Sequence, residues 1–156
     1  MSSQLDGAVI SDANIGDTLG SPVRSAGDIN GDCYNDYLIG ASGFDNNRGV
    51  LYVIFGGKEP LSSLDLSSGL KETQGFSIIG SAQLDYLGNS ASRAGDVNGD
   101  GIEDLIVGAN GAGVAYVIFG RKGLLPNITL SSGLGPSQGF AIRGPFIGSQ
   151  FGSYVS

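Results

Sequence analysis

The sequence lacks histidine and has a single cysteine, Cys33, among its 156 residues. Zinc sites built from Cys and His are therefore excluded, as are His-dependent catalytic triads, and no disulfide can form within the chain. Basic residues are also few: 8 Lys and Arg stand against 15 Asp and Glu, with a net charge of −7. Because the basic residues are scattered, no patch is present that would neutralise phosphates, and we expect no nucleic-acid partner.

Long apolar runs are missing as well. No stretch approaches the roughly 20 apolar residues of a membrane-spanning helix, and the N-terminus lacks the pattern of a signal peptide. We therefore expect no membrane span. Glycine, in contrast, is abundant, with 28 residues, and 40% of the residues are hydrophobic. Many turns between short apolar runs are typical of an all-β protein.

One acidic stretch carries the main chemical signal. Residues 96–104 read Asp-Val-Asn-Gly-Asp-Gly-Ile-Glu-Asp. Glycines permit tight curling, and alternate side chains can then point inward. The candidate ligands are the side chains of Asp96, Asn98, Asp100 and Asp104 and the main-chain carbonyl of Ile102. Oxygen ligands in this number and with flexible geometry suit Ca²⁺ better than Mg²⁺.

The same stretch occurs earlier, over residues 28–36. Its candidate ligands are the side chains of Asp28, Asn30, Asp32 and Asp36 and the carbonyl of Tyr34. A plain turn is the alternative, because Asp, Asn and Gly are common turn residues. Two copies with identical spacing favour a pair of calcium sites over that alternative.

These loops do not fit the EF-hand. That loop needs a bidentate Glu at its twelfth position and a helix on each side. The twelfth positions here are Ile39 and Val107. Short apolar runs ending in glycine follow each loop, over residues 37–41 and 105–109, and they predict buried strands.

The similarity between the two halves extends well beyond the loops. The offset is 68 residues through the loops (28 to 96) and 64 residues afterwards (50 to 114), as expected for a shorter turn in the second copy. Each copy predicts about four antiparallel strands, which is the unit of a β-propeller blade. We therefore predict an all-β fold with about two full blades, over residues 17–80 and 85–144. Partial blade strands are expected near residues 7–12 and 148–156, within a single repeat region covering residues 1–156.

The repeat unit resembles the FG-GAP repeat of integrin α-subunit propellers. The Phe-Gly element corresponds to Leu19-Gly20, Leu87-Gly88 and Phe151-Gly152, and the Gly-Ala-Pro element to Gly40-Ala41-Ser42 and Gly108-Ala109-Asn110. The resemblance implies that Ca²⁺ binds the two acidic loops through the ten residues named above. It also implies an extracellular or cell-surface module for recognition or adhesion, whose protein or glycan ligand is unknown. Calcium would be structural, and self-association or additional blades would complete a propeller.

Two further expectations concern chemistry. Cys33 stands where the second loop has Gly101, so a positive φ there would cost about 1 kcal/mol and weaken the first site. No catalytic residues are predicted, and we expect a protein that is not an enzyme. The alternative is the non-catalytic propeller part of a larger secreted hydrolase or lyase. A glycosidase-type pair of carboxylates stays open at this point.

Overall fold

The computed structural model describes residues 8–11 and 16–156, and these ranges form β-strands with almost no helix. The predicted all-β class is confirmed. The helical segments are single 3-10 turns at Leu66–Ser68 and Leu130–Ser132, and Phe44–Asn47 is a tight turn in which Asp45 and Asn46 have left-handed angles. The strands are β1 (Ile10–Ser11), β2 (Val23–Gly27), β3 (Asp36–Ala41), β4 (Val50–Ile54), β5 (Leu64–Asp65), β6 (Gly75–Ile79), β7 (Leu87–Gly95), β8 (Asp104–Ala109), β9 (Val114–Ile118), β10 (Ile128–Thr129) and β11 (Gly139–Arg143).

Two antiparallel sheets repeat one topology. The first follows the order β2-β3-β4-β6 and the second the order β7-β8-β9-β11. The central strands β4 and β9 consist mainly of β-branched residues, and all their residues are buried. Such residues favour a sheet covered on both faces. Each sheet is therefore a four-stranded propeller blade, as the sequence predicts.

Short parallel strands tie neighbouring blades together. Strand β10 joins the outer edge of the first sheet, where Ile128 pairs with Ile78. Strand β5 pairs in the same way with β1, through Leu64 and Ile10. The sequence did not predict β5 or β10. It missed the strands because each has two residues and no periodicity.

The main core lies between the two blades. Phe76, Ile78 and Leu38 of the first sheet are fully buried against residues of the second, including Leu105 and Val107. A smaller cluster covers the opposite face of the first sheet and includes Ile39 and Tyr52. Because the first sheet has apolar residues on both faces, it can bury them only by packing against neighbouring blades.

Glycines let the backbones of the two blades meet. A side chain at Gly40 would overlap the carbonyl oxygen of Gly88, and a side chain at Gly108 would overlap that of Gly152. We call the backbone contact between the two blades, around Gly40 and Gly88, the seam. There the N–H of Tyr86 donates to the carbonyl of Asn47 at 2.8 Å. Gly40, Gly88, Gly108 and Gly152, which belong to the Gly-Ala, Leu-Gly and Phe-Gly elements, are therefore packing residues, whereas a side chain at Gly20 would meet only Val23 Cγ2 at 4.0 Å.

The ends of the chain differ in part from the sequence prediction. Strand β1 falls within the first predicted partial strand, whose residues Gly7 and Asp12 lie outside the described ranges. Residues 148–156 form turns and no strand, so the second partial strand is wrong. In both blades the first strand pairs with the strand after the acidic loop, and among the described residues this stretch pairs with no such strand. It still docks, because Ser90 Oγ donates to the carbonyl of Gly152 at 2.9 Å.

The seam predicts different costs for two glycine substitutions with similar backbone angles. A side-chain carbon at Gly49 (φ +81°) would overlap the backbone of Leu87, whereas one at Gly69 (φ +77°) would have no atom of the described residues within 4 Å. Both alanine variants carry the left-handed strain, but only Gly49→Ala forces the blades apart. We expect Gly49→Ala to lower the free energy of unfolding by about 1–3 kcal/mol more than Gly69→Ala. Urea unfolding measures the difference, and equal losses would contradict the close contact.

Candidate metal centre

Each acidic loop is the hairpin between the first two strands of a blade. The first connects β2 to β3 and the second connects β7 to β8. Gly27 and Gly95 precede the loops at φ +73° and +75°, a conformation that favours glycine. Asp36 and Asp104, at the ninth loop position, are the first residues of the following strands. Both loops therefore open at the same end of their blades.

In the first loop, side-chain oxygens accept backbone N–H groups and so hold the backbone in a tight curve. The Asp28 carboxylate accepts the N–H groups of Asp32 at 2.9 Å and Cys33 at 2.8 Å. Asn30 Oδ1 accepts the N–H of Asp32 at 3.0 Å. Asp32 in turn accepts the N–H of Tyr34 at 2.9 Å. The first, third and fifth positions thus share one network.

The second loop repeats this network. The Asp96 carboxylate accepts the N–H groups of Asp100 at 3.0 Å and Gly101 at 2.8 Å. Asn98 Oδ1 accepts the N–H of Asp100 at 3.0 Å, and Asp100 accepts that of Ile102 at 2.9 Å. The identical ligand spacing therefore produces the same four hydrogen bonds, to which the second loop adds one from the N–H of Gly99 to the Asp96 carboxylate at 2.7 Å.

The ninth-position carboxylates are buried and bind across the blade. Asp36 accepts the N–H of Ile29 at 3.0 Å and that of Gly56, after β4, at 2.8 Å. Asp104 accepts the N–H of Val97 at 2.8 Å and that of Gly120, after β9, at 2.9 Å. Each carboxylate therefore fastens its loop to the third strand of the sheet. The sequence predicted a ligand at this position but not this second role.

Negative charge accumulates in the first loop. Burial raises the pKa of Asp36 from 3.8 to about 6. The N–H groups of Gly56 and Ile29 lower this pKa, and the nearby carboxylates of Asp32 and Asp28 raise it. The ionised form of Asp36 is thus disfavoured, and a nearby cation would favour it.

The structure brings the predicted ligands into the same loops without focusing them on one point. In the described ranges, no three side chains of His, Cys, Asp or Glu are grouped in a way that could hold a metal ion. The reason is that carboxylate oxygens point to backbone N–H groups. Tyr34 and Ile102 enter the networks through their N–H groups.

The donor chemistry nevertheless fits a calcium ion. All predicted donors are oxygens, the ligands that hard cations prefer. A carboxylate oxygen that accepts one N–H keeps a second lone pair for another partner. Cys33 adopts φ +72°, close to the +85° of Gly101, so the two loops share their backbone shape.

Comparison with known proteins connects these loops to a family. The FG-GAP repeat model matches residues 88–118, from Gly88 at the seam to the end of β9. Human integrin alpha-X is 37% identical over 93 residues, 60% of this chain and 8% of that protein. Integrin alpha pat-2 of Caenorhabditis elegans is 35% identical over 113 residues, 72% of this chain and 9% of that protein. Its Caenorhabditis briggsae counterpart is 33% identical over 134 residues, 84% of this chain and 10% of that protein.

This chain is an integrin-α-like FG-GAP repeat protein. It spans a tenth or less of the length of these relatives. The resemblance inferred from the sequence is therefore confirmed. In this FG-GAP protein Gly40 and Gly88 of the named elements pack the seam, while each acidic loop forms the hairpin between the first two strands of its blade. None of the helical segments in the described ranges is long and apolar enough to cross a membrane.

The buried ninth carboxylate predicts a structural effect that does not need calcium. Asp104 is fully buried, whereas Asp100 is exposed in the same loop. Asp104→Ala leaves the N–H of Gly120 buried without its acceptor, so we expect a loss of about 2–3 kcal/mol of unfolding free energy in EDTA. Asp100→Ala exposes its former partners to water and is expected to cost under about 1 kcal/mol. Denaturant unfolding in EDTA checks both values, and similar losses would show that Asp104 has no special structural role.

Proposed function

We propose that this FG-GAP repeat protein is a calcium-stabilised β-propeller module for extracellular or cell-surface recognition. The main support is the recurrence of one oxygen network at equivalent places in two blades. Ordinary turns do not require six carboxylates in two identical arrays. A divalent cation in each loop offsets the repulsion among these carboxylates.

The proposed ligands are the predicted ones. The first site uses the side chains of Asp28, Asn30, Asp32 and Asp36 with the carbonyl of Tyr34, and the second uses those of Asp96, Asn98, Asp100 and Asp104 with the carbonyl of Ile102. Side-chain rotations would bring these oxygens to the ion, while the loop backbone keeps its shape and each oxygen can still accept an N–H group through one lone pair. When bound, Ca²⁺ would neutralise the loop and hold the first two strands of the blade together.

The location follows from the expected affinity and from the relatives. Calcium sites of extracellular modules typically have dissociation constants of about 10⁻⁴–10⁻³ M, and such sites fill only where calcium is abundant. Integrin α-subunits are cell-surface adhesion receptors. We propose the same setting for this chain and a non-enzymatic role, with a protein or glycan as ligand.

An exposed apolar face supports packing against a further blade. Phe140 and Ile142 in β11 are 41% and 39% exposed, while their equivalents Phe76 and Ile78 in β6 are fully buried by the second blade. Since the two sheets share one topology, this exposed face of the second sheet corresponds to the face of the first sheet that packs against the second blade. Another blade, or self-association, would cover it.

A calcium titration tests the proposal. At ten times the dissociation constant of the weaker site, we expect the melting temperature to rise by at least about 5–10 °C relative to EDTA. The variant Asp28→Ala/Asp96→Ala, which removes the first ligand of each loop, should show little of this rise. Native mass measured in parallel separates a calcium effect on folding from one on association.

Equal magnesium is the ionic control. Mg²⁺ demands a nearly ideal octahedral site and sheds its water reluctantly, so we expect a smaller shift. A melting temperature that stays the same from EDTA to millimolar calcium would refute the calcium sites.

A further inference from the structure

The two acidic loops share their ligands but not their surroundings. The first loop is packed against the second blade. Ile29, at its second position, is fully buried in the core between the blades, whereas the equivalent Val97 is 48% exposed. Asn30 is only 8% exposed, and the equivalent Asn98 is exposed. The chain therefore contains one covered and one uncovered copy of the same loop.

Backbone hydrogen bonds hold the first loop in this position. Its carbonyls at Ile29 and Asn30 accept the N–H groups of Arg121 at 3.0 Å and Gly123 at 2.9 Å. Both donors belong to the segment that follows β9 in the second blade. These bonds leave the side-chain oxygens of the loop untouched, so they order its backbone without competing for the ion.

Side chains of the second blade cover Gly31 in the first loop and Gly27 immediately before it. A side-chain carbon at Gly31 would lie 2.9 Å from Lys122 Cγ, and one at Gly27 would lie 2.9 Å from Glu103 Cγ. For the equivalent Gly99 and Gly95, no atom in the described ranges lies within 4 Å of that position. Within the part of the chain that the structure describes, the second loop thus lacks the contacts of the first, although the ligand patterns agree.

Resting on the calcium sites proposed above, we propose that Arg121–Gly123 is a positioning segment for the first loop. It makes the first site the tighter one, and it links calcium in that loop to the packing of the blades. The contacts with the second blade already order the first loop before an ion binds, so binding costs less conformational entropy. By linkage, an ion that prefers the docked loop also stabilises the docked blades.

The cysteine in the first loop does not reverse this order. Cys33 already adopts φ +72° in the folded chain. The strain of that conformation is therefore a cost of folding, which is the same before and after an ion binds. The covering segment, in contrast, restricts the loop to its binding-competent shape and therefore raises its affinity for the ion.

Calorimetry with calcium alone on two site-deletion variants tests the order. Asp96→Asn/Asp100→Asn leaves the first site, and Asp28→Asn/Asp32→Asn leaves the second. If the uncovered loop is binding-competent about a tenth of the time, the second site binds about tenfold more weakly. We expect the first site to be tighter by about that factor. Equal affinities, or a tighter second site, would overturn the proposal.

A matched glycine pair tests the positioning segment itself. Gly31→Ala and Gly99→Ala introduce the same change at φ +72° and +77°. Only the first pushes against Lys122, so it should weaken its own site several-fold more than Gly99→Ala weakens the second. Adding Lys122→Ala to Gly31→Ala removes the obstructing Cγ and should restore most of the lost affinity. Equal effects of the two glycine variants, or no rescue, would overturn the positioning role.

A second readout separates this inference from the proposed function. Urea unfolding in EDTA and in calcium should show that calcium adds less stability to Gly31→Ala than to Gly99→Ala. Absence of calcium binding in the unmodified chain would refute the proposed function. Binding at both sites with equal affinity and equal stabilisation would keep that function and refute only the positioning segment.

Discussion

Close contact between the backbones of successive blades is the constraint on which this structure depends. Gly40 and Gly88 have no side chains to keep the sheets apart, and the same arrangement recurs at Gly108 and Gly152. The contact lets Phe76 and Ile78 reach the core of the neighbouring blade. Each sheet buries apolar residues on two faces, so stability is shared between neighbours instead of residing in single blades.

The ninth-position carboxylates connect this packing to the acidic loops. Asp36 and Asp104 each bind one N–H within the loop and one N–H after the third strand of the sheet. A loop cannot rearrange without disturbing that bond. Burial and neighbouring carboxylates also make the negative charge of Asp36 unfavourable. The Asp36 carboxylate thus accepts hydrogen bonds that stabilise the sheet, and a nearby cation would stabilise its ionised form.

Repetition of a sequence does not make the repeated sites equal. The first loop lies under the second blade, and the second loop has no corresponding cover among the described residues. In a repeat protein, the properties of a loop depend on the unit that follows it as well as on its own residues. A cation that holds a loop can therefore also hold two units together.

The sequence alone determined the repeat, the strand-forming segments and the paired acidic loops. These features are local: β-branched runs such as Val50–Ile54 favour strands, and oxygens at alternate positions curl a short loop around them. Only the tertiary structure decided that Asp36 and Asp104 turn toward backbone N–H groups and that β5 and β10 are strands. It also decided that Arg121–Gly123 covers the first loop. Residues about ninety positions apart in the sequence make contact there because the two sheets pack together. The residue spacing within one blade does not indicate which residues of the next blade pack against it.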